Sequence, residues 1–154
     1  MKRSLLITMA TFTVLVLSAS AAQAQSGHFV GTPTCRDNGT TYTCSGKVAG
    51  LGGTTFEITT TADATAQTEC RNPAGNVAPG QTFDFDAASD TGPLATPRNG
   101  AFRFSLTTVN PAIPADACPN PKWTASIVDV TFGDVTVSLF EDNVLSDQIT
   151  VPVS

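Results

Sequence analysis

Few side chains in this chain could do chemistry: one histidine, four cysteines and some neighbouring carboxylates. A Ser-His-Asp or Cys-His site needs an imidazole held rigidly beside a nucleophile. The single histidine, His28, falls close to the start of the chain once a leader is removed, where side chains are exposed and mobile. The cysteines, Cys35, Cys44, Cys70 and Cys118, are even in number and read as two disulfides, which withdraws their thiolates. No catalytic residue is assigned on these grounds. A single imidazole excludes a His-rich metal site, and the cysteines lack a C-x-x-C spacing, so neither a metal nor a cofactor is expected.

Carboxylates offer more. Asp84 and Asp86 alternate on one strand face with Asp90 nearby, and Glu141-Asp142 falls in a hairpin turn. Paired carboxylates can cleave glycosides or hold Ca²⁺. A glycosidase cleft also needs aromatic platforms, and the chain has one Trp and one Tyr. Asp84-Phe85-Asp86 lacks the glycine and downstream glutamate of a calcium loop. The favoured reading is a solvated strand face. Binding candidates are Leu94, Arg98 and Asn99 in a proline-stiffened loop, and Lys122 with Trp123 after another. Trp123 is read first as a core residue and Arg98 first as a solvated turn residue.

The elements that would position these residues are strands. Apolar residues alternate with polar ones at Phe56 and Ile58; Phe83, Phe85 and Ala87; Phe102, Phe104 and Leu106; Val135, Val137 and Leu139; and Ile149, Val151 and Val153. Period two with one wet face marks antiparallel sheet. After Trp123, Ala125 and Ile127 the apolar phase slips to Val128 and Val130, which predicts a bulge or bend near Ile127. Pro152 marks an edge position, because it cannot donate to a ladder. Turn signals rich in Gly, Pro and Asn recur about every ten residues. The expected fold is an all-β, immunoglobulin-like antiparallel β-sandwich of about seven to nine strands, in one domain over residues 25–154. The long connections 89–100 and 110–122 are expected to cross between its sheets.

Local geometry favours Cys35–Cys44 as one disulfide. Asn38-Gly39 suits a hairpin turn, and a loop over 38–41 would set the two cysteines directly opposite each other. Cys70–Cys118 follows by elimination. Asn38-Gly39-Thr40 also matches the N-glycosylation pattern, and is read here as the turn.

Lys2 and Arg3, the apolar run 5–17 and Ala22-Gln23-Ala24 form the three parts of a secretory signal, with cleavage expected after Ala24. The run is too short to span a membrane, which takes roughly 20 residues. The expected product is secreted and extracellular, with no membrane span. Its formal charge goes from −5 to −7 when the two basic residues leave. So acidic a surface argues against nucleic acid as partner. The expected partner is an unknown protein or a small-molecule ligand.

Three runs carry a resemblance: Gly27-His28-Phe29-Val30-Gly31-Thr32-Pro33-Thr34-Cys35, Cys44-Ser45-Gly46-Lys47-Val48-Ala49-Gly50-Leu51-Gly52 and Cys118-Pro119-Asn120-Pro121-Lys122-Trp123. Together they resemble small secreted bacterial β proteins, of the actinobacterial type, that have no assigned function. The resemblance implies export and an all-β fold. Lys47-Val48-Ala49-Gly50-Leu51 is also similar, more slightly, to a segment of neocarzinostatin-type apoproteins, secreted sandwiches that hold a chromophore. The functional expectation is a non-catalytic exported interaction or surface-associated protein. The alternatives are a secreted small-ligand carrier and an inhibitor of a secreted hydrolase acting through the loop near Leu94 and Arg98.

Overall fold

In the computed structural model, residues 27–154 are described; the leader expected over 1–24 lies outside the described residues. Strand β4 (Thr55–Arg71) organises the chain. Over its 17 residues every second side chain is buried: Phe56, Ile58, Thr60, Ala62, Ala64, Ala66, Thr68 and Cys70. The run is threonine-rich, and branched Thr suits the pleat while its hydroxyl tolerates either face. Burying Phe56 and Ile58 contributes about 1.5–3 kcal/mol each.

Along one edge of β4 run β5 (Val77–Asp90) and then β6 (Leu94–Ala95). Along the other run β8 (Thr124–Phe132) and β9 (Val135–Glu141), and β10 (Val144–Val151) pairs with β9. The second sheet centres on β3 (Tyr42–Ala49). Both β1 (His28–Phe29) and β2 (Thr34–Asp37) pair with it on one side, and β7 (Phe102–Thr107) on the other. The strands number ten, because β1 and β6 are two-residue pieces beyond the alternating runs visible in the sequence. Every named pairing is antiparallel.

The sheets close on each other through aromatic side chains. Tyr42 of β3 meets Phe132 of β8 edge-on at 5.2 Å, and Phe102 of β7 meets Phe56 of β4 at 5.1 Å. The Tyr42 hydroxyl donates into the first sheet, with Thr60 Oγ1 at 3.1 Å. After Pro152 the C-terminus crosses to the second sheet, where Val153 bridges Cys35 in parallel and Ser154 N–H donates to the Cys35 carbonyl. Both long connections are crossovers: 91–101 leads from β5 through β6 to β7, and 108–123 leads from β7 back to β8.

The first hairpin matches its expected register. Asp37 faces Tyr42, Cys35 faces Cys44, and the loop spans 38–41, with Gly39 at φ 91°. The Cys35–Cys44 disulfide joins Cα atoms 4.0 Å apart, and Cys70–Cys118 joins Cα atoms 5.8 Å apart.

Thr68 marks where the second layer gives out. Opposite it β8 bulges, with Val128 the extra residue, and β5 carries an irregularity at Gly80 and Gln81. A bulge frees backbone groups and bends its strand. Here the freed Gln81 N–H donates to the Ala117 carbonyl, and Thr68 Oγ1 donates to the Gln81 carbonyl at 2.6 Å. Beyond Thr68 the connection 108–123, held by Cys118, covers β4 in place of a strand, and Ala117 and Cys70 are buried there. A Cβ at Gly80 would run into Thr68 Oγ1 and lie 3.1 Å from Cys70 Sγ. Gly80→Ala is therefore expected to cost about 1–3 kcal/mol by overpacking, read as a lowered urea midpoint with an unchanged slope.

Trp123 departs from expectation. It is half-buried and does not belong to the core cluster. Its backbone N–H closes a turn on the Asn120 carbonyl, and β8 begins one residue later opposite Arg71, past the overlap of the two sheets. No second sheet lies over that end of β4 for the indole to pack against.

Candidate functional site

Two groups of carboxylates stand out, and they do different things. The first sits on the β9–β10 hairpin. Asp142 (φ 47°) and Asn143 (φ 66°) form its two-residue turn between the paired Glu141 and Val144, a conformation that Asn and Asp tolerate. The turn aims Glu141 inward. Its carboxylate has no exposed surface. Oε1 accepts from Gly52 N–H at 2.7 Å and Gly53 N–H at 3.1 Å, and Oε2 accepts from Gly27 N–H at 2.9 Å. Ser146, the extra residue of the β10 irregularity, places Oγ 2.8 Å from Oε2 and also 2.8 Å from the Gly27 carbonyl. Burial pushes the Glu141 carboxyl up, but these hydrogen bonds outweigh it and hold its pKa below the ordinary 4.5. Asp142 does the same from the surface: Thr55 and Thr54 backbone N–H groups bind it and lower its pKa. Asp147 Oδ2 accepts from Phe29 N–H at 2.8 Å. These carboxylates tie the start of the domain and the 50–54 loop to the hairpin, which is a structural task.

The second group faces solvent on the outer side of the first sheet. Register sets Asp63 of β4 directly opposite Asp86 of β5, and Thr65 opposite Asp84. Like charges directly opposed across strands are destabilising. Asp84 is braced by Thr65 Oγ1, which donates to it at 2.6 Å. On the other side of β4, Gly133 N–H donates to the Asp63 carbonyl, and the break between β8 and β9 brings Asp134 alongside. The result is a depression of about 660 Å³ bordered by Asp63, Thr65, Asp84, Asp86 and Thr131, with Phe85 and Phe132 also lining it. A second of about 330 Å³ shares Asp63 and Asp86 and adds Asp134. No lysine or arginine lines either one. The ion pair Arg71–Glu69, at 3.5 Å, lies near the far end of β4.

The residues proposed from sequence are not brought together. Leu94 pairs with Phe56 near the start of β4, while Thr124, next to Lys122 and Trp123, pairs with Arg71 at its end. That separation is roughly 50 Å at about 3.3 Å per residue. Arg98 and Asn99 are exposed in a turn closed by Gly100 N–H on the Pro97 carbonyl at 2.8 Å. Lys122 is exposed, and its N–H donates to Asn120 Oδ1. His28 is exposed on β1 opposite Ala49. Asp84 and Asp86 do share a strand face as read from sequence. Asp63 and Asp134 escaped that reading, because only the pairing of distant strands gathers them.

Comparison with protein-family models, with curated proteins and with solved structures gives no match to this chain. Among the described residues no helix is long and apolar enough to cross a membrane, and no group of three or more His, Cys, Asp or Glu is placed to hold a metal ion. The two disulfides fit an oxidising compartment.

Proposed function

We propose that this is an exported, non-catalytic interaction protein whose working surface is the acidic outer face of the first sheet. The observation that carries the reading is Asp63 set opposite Asp86 in a depression that no lysine or arginine lines. Such a pair weakens the free protein and gains from a positively charged partner. Elsewhere carboxylates are taken up by backbone amides at Glu141, Asp142 and Asp147. The partner class is cationic. Export is supported by the signal-like N-terminus and by the two disulfides.

The carrier reading has less support, because the space between the sheets is occupied by Tyr42, Phe132, Phe56 and Phe102. The inhibitor reading has less as well. Leu94 and Ala95 are engaged with β4, and Arg98 sits in a tight turn instead of an extended loop.

Titration calorimetry with a short oligolysine tests the proposal. Binding should weaken at least tenfold in Asp63→Asn/Asp86→Asn, and should fade as salt is raised and the charges are screened. The same double substitution should raise the urea midpoint of the free protein, the usual trade between a strained site and stability. Equal binding by the variant would remove the proposal.

A further inference from the structure

The acidic face ends at a sheet edge, and that edge has its own character. Strand β5 is the last strand of its sheet. Among the described residues, 82–86 make backbone ladder bonds to β4 alone; the outward N–H of Gln81 has already gone to Ala117. An open edge presents a row of donors and acceptors that another strand can complete. Along it the side chains alternate: Asp84 and Asp86 are exposed, while Phe83 and Phe85 are half-buried against the core, their rings 6.0 Å apart. On the side of the rings lies a depression of about 420 Å³, lined by Phe83, Phe85, Val109, Pro111 and Ala112, and reached as well by Asp84 and Asp86 of the edge strand. Val109 is 80% exposed at its rim. The alternation thus turns exposed carboxylates to one side of the edge and the two rings to the other, where the hollow is mostly apolar.

We infer that β5 accepts, as an added strand, an extended protein segment in which basic and apolar side chains alternate. This rests on the reading of the acidic face as the working surface and names the form of its partner. Period two in the segment would place its lysines or arginines over Asp84 and Asp86 and its apolar side chains in the hollow beside Phe83, Phe85 and Val109. Backbone pairing along 82–86 would supply affinity, and the two sides would supply selectivity. A second copy of this chain does not fit. Pairing the edge with itself brings Asp84 and Asp86 against like charges, which opposes association.

The test uses an eight-residue peptide of alternating lysine and valine, titrated into the oxidised protein. Two controls accompany it: the same peptide N-methylated at alternate residues, which removes its donors on one edge, and an oligolysine carrying the same number of charges. The alternating peptide is expected to bind at least tenfold more tightly than both controls. Asp84→Asn/Asp86→Asn should reduce its binding about tenfold. If the N-methylated peptide and the oligolysine bind as well as the alternating one, the added strand is overturned while the acidic face stands. If none of the three binds, both fall. Self-association of the free protein through β5 would also overturn the inference.

Discussion

Glu141→Gln is expected to lower stability by about 2–4 kcal/mol, because hydrogen bonds to a charged group are strong and orphaned buried donors are costly. One carboxylate accepts from three backbone amides, Gly27, Gly52 and Gly53, and lies beside the Ser146 hydroxyl. Glutamine keeps one acceptor oxygen and turns an amino group toward donors, so either the buried Gly27 amide or the amides of Gly52 and Gly53 lose their partner. For a domain of this size that is a fall in melting temperature of about 8–15 °C. The pH dependence has a definite sign. The folded pKa of Glu141 lies below its ordinary 4.5, so its contribution is complete above that value and is lost as pH falls through the folded one. Thermal melts of the native protein should therefore drop steeply below about pH 4.5. The glutamine variant should be less stable at neutral pH and flatter through the acid range. Equal melting temperatures at pH 7 would mean that the buried carboxylate does not fasten the hairpin to the start of the domain.

The two disulfides should differ in worth. Cys35–Cys44 spans 9 residues and Cys70–Cys118 spans 48. In the chain-entropy model the short loop contributes about 2.5 kcal/mol and the long one about 4 kcal/mol. Local structure widens the difference. The hairpin around Cys35 keeps its ladder and its Asn38-Gly39 turn without the sulfur bridge. The far end of β4 has no second sheet, and Cys118, with the Gln81 N–H bond to the Ala117 carbonyl, holds 108–123 there. Cys70→Ser/Cys118→Ser should accordingly lose more stability than Cys35→Ser/Cys44→Ser. It should also speed proteolysis within 108–123 while β3 stays protected from hydrogen exchange. Equal losses from the two double variants, with no new cleavage, would contradict this division of labour.

Much of this fold could be read from alternation, because a strand with one dry face writes its period into the sequence. Phe83, Phe85 and Ala87 share one face, and so do Phe104 and Leu106. The slip at Val128 is a bulge, and the Cys35–Cys44 register follows from its turn. What could not be read is what long-range pairing decides. Asp63 and Asp86 are 23 positions apart in number and become opposite only when β4 and β5 form their hairpin. Trp123 has the composition of a core residue, but its burial depends on which sheet lies over it, and at that end neither does. Glu141-Asp142 signals a turn clearly. The amides it collects come from Gly27 and the 52–55 segment, far upstream in the chain.

The most direct test of the acidic face as the working surface is a map of amide shifts in the ¹⁵N-labelled protein as short oligolysine is added. Shifts are expected to concentrate at Asp63, Thr65, Asp84, Asp86 and Thr131, and to be abolished in Asp63→Asn/Asp86→Asn. Shifts centred on Arg98 and Asn99 or on Lys122 and Trp123, or no shifts at all, would contradict it.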